Sequence, residues 1–258
     1  MTVSLGALIA LAVPRVRRVR QQRTPFALAW EESNRAALRT DGPLWVALGD
    51  SSAQALGASA FDGGYVGQLL PLLRAATGER WRVVNFSQAG ARVADVVERQ
   101  LPLLVSLDRH PDLVTVSVGA NDVWGRPTPR LAPLVRRLLT CLPPRTVIAT
   151  LPQGLPRGRS ERVNALIRAE ADAHHLVVAD VWSRTGPPWR GKFAADGFHP
   201  NELGYRDWAD GFLPAMLEAT VAPLAQTYSA APAPCGRDRP RRGRGESQRQ
   251  LDRGGPGA

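Results

Sequence analysis

The sequence predicts an α/β domain built on a parallel sheet. Short apolar runs alternate five times with stretches of helical periodicity, the pattern of strands joined by crossover helices that cover both faces of a sheet. Each run stops at a turn signal, as buried strands do. A chain of 258 residues with 44% hydrophobic content is long and apolar enough to bury one sizeable core without a second domain. Right-handed crossovers then bring all five strand carboxyl ends to one edge, where open α/β folds place their ligands.

The elements follow in order. Phe26 to Arg39 reads as a helix that enters the turn Asp41-Gly42-Pro43. The first strand is the apolar run Trp45-Val46-Ala47-Leu48, closed by Gly49-Asp50-Ser51. Tyr65 to Ala76 carries Val66, Leu69, Leu70 and Leu73 at helical spacing. Trp81 to Phe86 is the second strand, and Arg92 to Leu107 a crossover helix that Pro102 should kink or divide. Leu113 to Val118 is the third strand. A helix from Leu131 to Cys141, with a proline in its first turn, leads to the fourth strand, Thr146 to Leu151. Ser160 is placed to cap a helix running to His174. Leu176 to Val181 is the fifth strand; Ser183 to Ala195 is irregular, and Asn201 caps a final helix from Glu202 to about Thr220.

The net charge of +10 raises a nucleic-acid or membrane reading, so its distribution decides. Arg15, Arg17, Arg18, Arg20 and Arg23 face no acid in residues 1–24, and residues 226–258 hold seven arginines against three acids. The centre is therefore near neutral, which argues against a specific nucleic-acid partner and leaves contact with an anionic membrane surface to the ends. Val3 to Val13 is too short for a membrane span of about twenty residues. A secretory signal carries its positive charge before the apolar stretch, whereas these arginines follow it. The expectation is a cytoplasmic protein, with an interfacial segment at the membrane or secretion as alternatives. Two cysteines, Cys141 and Cys235, are too few for a disulfide framework and are expected as free thiols.

Ser51 is the candidate nucleophile because it lies just past the first strand, at the carboxyl edge of the sheet. A serine needs a base, a group that orients the base, and donors for the developing oxyanion. Of four histidines, His199 lies in the polar loop Asp196-Gly197-Phe198-His199-Pro200 with a carboxylate three residues before it. His174 and His175 end a helix, where they suit the dipole. Asp50 reads as a structural residue that fixes the nucleophile turn, and the adjacent Ser52 is expected to face elsewhere. Trp124, Trp182 and Trp189 are candidates to line an acyl or aromatic pocket.

Gly-Asp-Ser at 49–51, Gly90 after the second strand, Gly-x-Asn-Asp at 119–122 and Asp-x-x-His at 196–199 together resemble the four blocks of the SGNH, or GDSL-type, hydrolases. The resemblance covers roughly residues 44 to 215 and includes block order. It implies a three-layer, flavodoxin-like α/β/α sandwich with a five-stranded sheet in the order 2-1-3-4-5. It also implies Ser51 as nucleophile, His199 as base and Asp196 as its orienting acid. The backbone N–H groups of Ser51 and Gly90 and the side-chain amide of Asn121 are then the oxyanion donors. Glycine suits such a site because a missing Cβ admits the substrate, and an amide donates without charge.

The implied reaction is hydrolysis of a small-molecule carboxylic ester, or a thioester. Acyl transfer by the same triad is one alternative, and a non-catalytic domain that binds anionic membrane or nucleic acid through its basic ends is another. No metal-ligand spacing, dinucleotide fingerprint or phosphate loop is visible, so no cofactor is expected. The organisation read from the chain is a basic arm at 1–25, the hydrolase domain at 26–222, and an Arg, Pro and Gly-rich tail at 223–258 without apolar periodicity.

Overall fold

A computed structural model describes residues 14–221. The expectations for Val3 to Val13, for Cys235 and for the tail lie outside the described residues. Five parallel strands, β1 (Leu44–Gly49), β2 (Arg82–Asn85), β3 (Leu113–Ser117), β4 (Val147–Ala149) and β5 (Val177–Ala179), form one sheet in the order β2-β1-β3-β4-β5. Every residue of β1 is buried, since a parallel sheet is covered on both faces. The period of two separates its side chains: Trp45 and Ala47 enter one core, while Leu44, Val46 and Leu48 enter the other. These two cores make the sandwich three layers deep.

The helices, in chain order, are α1 (Pro14–Gln21), α2 (Arg23–Leu38), α3 (Tyr65–Thr77), α4 (Val93–Asp95), α5 (Leu101–Val105), α6 (Ala120–Val123), α7 (Leu131–Cys141), α8 (Arg157–Glu170), α9 (Val181–Arg184) and α10 (Glu202–Thr220). The first core draws on α3 and α10, where Tyr65 stacks on Phe212 at 4.8 Å between ring centres. The second draws on α4, α5, α7 and α8. Among the described residues no helix is long and apolar enough to cross a membrane.

Several details depart from the sequence reading. Ser160 does not cap α8; Pro156 occupies that position, and the Ser160 hydroxyl donates back to the Pro156 carbonyl at 3.3 Å. A proline four residues earlier, fixed in φ, starts the helix there without a side-chain cap. Cys141 is disulfide-bonded, which corrects the expectation of a free thiol. Helix α2 begins at Arg23 rather than Phe26, and α1 precedes it, so the expected boundary at residue 26 falls inside a helix. Pro102 divides its helix by a wide turn: Val96–Gln100 is π-helical between α4 and α5.

Helix α2 also caps the open edge of the sheet. The Asn34 amide donates to the Asn85 carbonyl at 2.9 Å and its oxygen accepts the Asn85 N–H at 2.8 Å, so a side chain stands where a sixth strand would pair. An unpaired strand edge is otherwise a template for association.

Candidate active site

The site begins where β1 runs out. Gly49, its last residue, is held from both sides by Gln100: the Gly49 N–H donates to Gln100 Oε1 and Gln100 Nε2 donates to the Gly49 carbonyl, each at 2.8 Å. Gln100 is buried, and the π turn that Pro102 brings with it is the segment that carries it. The backbone two residues before Ser51 is thereby fixed without an exposed contact. Sequence reasoning missed Gln100, although it falls at i+7 of the apolar stripe Val93, Val96, Val97, Leu101, Leu104. A polar side chain on a buried face was the available signal.

Asp50 accepts the Ser52 N–H at 3.0 Å and so closes the turn that presents Ser51. Burial pushes its pKa up to about 6, although the Ser52 N–H and the nearby His199 pull the other way. An acid raised in the folded state destabilises that state once it must ionise, so the cost is absent below the unfolded value of 3.8 and complete above about 6. Asp50→Asn keeps an acceptor for Ser52 and removes the charge. It should raise the unfolding free energy at pH 8 by up to about 3 kcal/mol, and the gain should vanish by pH 4 in denaturant titrations. A variant less stable than the parent at pH 8 would show that the carboxylate charge itself holds the turn.

The opposite wall comes from the loop before α10. Asp196 Oδ1 accepts the N–H groups of Phe198 and His199, each at 3.0 Å, which folds the loop into a turn. Its other oxygen, Oδ2, meets His199 Nδ1 at 2.6 Å. Nε2 of the same ring lies 3.0 Å from Ser51 Oγ. With an acceptor on the Nδ1 side, that nitrogen carries the proton and Nε2 is left to accept from the serine. Burial pushes Asp196 upward, but the ring N–H, the His199 charge and the two backbone N–H groups outweigh it and hold the pKa below the ordinary carboxylate range. The loop can approach the serine this closely because Gly57, at φ +99°, has no side chain; a Cβ there would run into the Pro200 carbonyl oxygen and into His199 Cβ at 2.9 Å.

Three N–H donors lie in the same cleft as this pair. Among the described residues the N–H groups of Ser51 and Gly90 donate to no protein group, which is unusual for backbone amides inside a fold. Asn121 Nδ2 spends one hydrogen on the Ala91 carbonyl at 3.0 Å and keeps the second. Ser51, Gly90, Asn121 and His199 line one cleft. Gly90 sits at φ +87°, and Arg23 Nη2 lies 2.5 Å from where a Cβ would be, too close to admit one. The same Arg23 nitrogen donates to the Ala89 carbonyl at 2.8 Å. That carbonyl shares a peptide plane with the Gly90 N–H, so anchoring one end aims the other. Asp122, next to Asn121, is pushed up by burial while the Thr128 hydroxyl and the Val93 N–H bind it; the Val93 bond joins the asparagine turn to α4.

Of the three tryptophans, Trp124 and Trp189 line a second, apolar cavity beside Ser51, with Leu155, Phe193 and Phe198. Trp182 does not line it; its backbone N–H donates to Thr150 and its carbonyl accepts from Gln153. Ser52 also borders this cavity, yet of the two serines only Ser51 brings its hydroxyl to the His199 ring. His174 and His175 lie at the far end of α8, in a short 3-10 turn and the residue after it.

A buried serine, an imidazole and an oriented carboxylate at the carboxyl edge of a β2-β1-β3-β4-β5 sheet define a hydrolase of the GDSL class. The model of the GDSL-like lipase/acylhydrolase family matches residues 47–206, and the chain belongs to that family. No curated protein matches the sequence significantly. Among solved structures, an α/β hydrolase called LAE5 from the metagenome of Lake Arreo, Spain, is 24% identical, with a TM-score of 0.55 over 72% of this chain and 100% of its own. Axe2, an acetylxylan esterase from Geobacillus stearothermophilus, is 21% identical, with a TM-score of 0.52 over 68% of this chain and 94% of its own. TesA is 24% identical, with a TM-score of 0.55 over 68% of this chain and 99% of its own. At these identities the likeness speaks for the fold.

Proposed function

We propose that this protein hydrolyses carboxylic esters of small acyl or lipid-like substrates through a covalent acyl-enzyme on Ser51. The observation that carries the reading is the unbroken line from Asp196 Oδ2 through the His199 ring to Ser51 Oγ, at 2.6 and 3.0 Å. Ser51 Oγ attacks the carbonyl carbon as its proton passes to His199 Nε2. The N–H groups of Ser51 and Gly90 and the Asn121 amide hold the oxyanion. Collapse of the tetrahedral species expels the alcohol, which takes the proton from His199; water then repeats the sequence and frees the acid. A thioester is cleaved by the same steps with a thiol as leaving group. The family and the esterase neighbours support ester chemistry, whereas acyl length is left to the cavity of Trp124, Trp189 and Phe193.

The test is a rapid-mix experiment on p-nitrophenyl esters from acetate to decanoate. When deacylation limits turnover, nitrophenolate should appear in a burst approaching one equivalent per enzyme. Acid-quenched samples should carry the acyl mass on the peptide that contains Ser51. Turnover with no adduct, or with the adduct on another residue, would reject the covalent route through this serine.

A further inference from the structure

Two cavities meet at the reacting pair, and their chemistry differs. Ser51, His199, Asn121, Trp124 and Phe198 belong to both. The first continues into Leu155, Trp189 and Phe193, with Lys192 and Asp207 neutralising one another at 2.6 Å on its wall. The second continues toward the amino-terminal helices and is walled by Val16, Arg20, Arg23, Leu56 and Gly90. Its one acid is Asp196, which is committed to His199.

The segment that carries these two arginines is held at this rim by packing that needs no carboxylate. Val19 of α1 is buried, and Gln22 clamps the loop that follows Ser51: its Nε2 donates to the Ala58 carbonyl at 2.7 Å and its Oε1 accepts the Gly57 N–H at 2.9 Å. Arg20 and Arg23 are both exposed, and among the described residues neither they nor Arg15, Arg17 and Arg18 form an ion pair. Arg23 gives one N–H to Ala89 and retains its other donors. A cleft that opens on the nucleophile with two uncompensated cations, and with an apolar cavity on its other side, sorts ligands by charge.

We propose that the substrates are esters whose alcohol portion carries an anionic group, a phosphate or a carboxylate, bound by Arg20 and Arg23 while the apolar acyl chain occupies the Trp189 cavity. The inference rests on the ester-hydrolase reading above and adds the charge of the leaving alcohol. An ester laid across Ser51 places one arm in each cavity, and apolar acyl carbon belongs with the rings rather than beside the guanidiniums. Arginine presents a planar fork of donors that matches the oxygens of either anion. The reaction is the same hydrolysis, with Ser51 Oγ replacing the anionic alcohol at the carbonyl and His199 returning the proton to it.

The test compares soluble, short-chain substrates of equal acyl length on the full chain: 1-butyrylglycerol 3-phosphate, the butyrate ester of glycerate, and neutral 1-butyrylglycerol. The kcat/KM ratio of anionic to neutral ester should be about tenfold or more at 50 mM salt, the size of one charge-assisted contact, and should decline toward one at 0.5 M salt. Arg20→Gln should reduce that ratio at least threefold, mainly through KM, and Arg20→Lys should restore most of it. A general loss of folding or catalysis moves both substrates together and leaves the ratio alone. A parent ratio near one, or a ratio unchanged by Arg20→Gln, overturns the proposal. So does binding to phosphatidylglycerol vesicles without any preference among the soluble esters, which would assign the arginines to a lipid surface instead. Absence of Ser51-dependent turnover on all three esters and on p-nitrophenyl butyrate would remove the hydrolase reading, and this inference with it; turnover of the neutral esters alone removes only the inference.

Discussion

Ser51→Ala should lower kcat on p-nitrophenyl butyrate by about 10⁶ while KM changes little, the loss expected when the nucleophile of a triad is removed and its partners remain. The hydroxyl 3.0 Å from His199 Nε2 is the only serine oxygen bonded to that ring among the described residues, so its removal leaves the imidazole with no attacking group to activate. The N–H groups of Ser51 and Gly90 and the Asn121 amide are backbone or remote side-chain donors and survive the substitution. A residual acceleration of about 10³ over water is therefore expected from the proposed oxyanion donors and from substrate binding. Ser52, which also lines the apolar cavity, supplies the control. If Ser51→Ala retains activity within tenfold of the parent and Ser52→Ala abolishes it, the nucleophile is the neighbouring serine.

Those parts of the fold that a period of two or 3.6 encodes were legible in the chain. All five strands lie where apolar runs stop at turn signals, most of them shorter by a residue or two at an end, because terminal residues leave the ladder first. Block order picks out Ser51, Gly90, Asn121, Asp196 and His199, which share one cleft, since each follows the carboxyl end of a strand or lies in the loop that returns to it. What escaped was carried by polar residues whose partners are remote. Helix α1 is mostly arginine and valine and shows one buried side chain, Val19, so no apolar stripe announces it. Gln22 and Arg23 act on Gly57, Ala58 and Ala89, more than thirty residues away, and no local pattern encodes such a bond. Gln100 interrupts a buried apolar stripe, a signal that passed unread, and its partner, the backbone of Gly49, does not show in sequence at all.

Asp196→Asn should cost about 10⁴ in kcat although it removes no atom from the line of contacts, because the carboxylate uses both oxygens as acceptors. Oδ1 takes two backbone N–H groups and Oδ2 takes the His199 ring N–H. An amide offers one acceptor and one donor, so its NH₂ must face either the backbone donors or the ring. Keeping the loop turn puts NH₂ against Nδ1, which then accepts, and the ring proton moves to Nε2. A protonated Nε2 cannot take the proton from Ser51. The pH dependence of folding separates this tautomer effect from simple damage. The folded-state pKa of Asp196 is depressed, so its contribution to stability is complete above the unfolded carboxylate value and is lost as pH falls through the folded one. The parent should thus be the more stable protein at pH 7, and the two should converge in strongly acid buffer. A kcat loss below tenfold, with the stability difference present at pH 7, would mean that the carboxylate holds the loop but does not set the histidine tautomer, and that some other group orients the base.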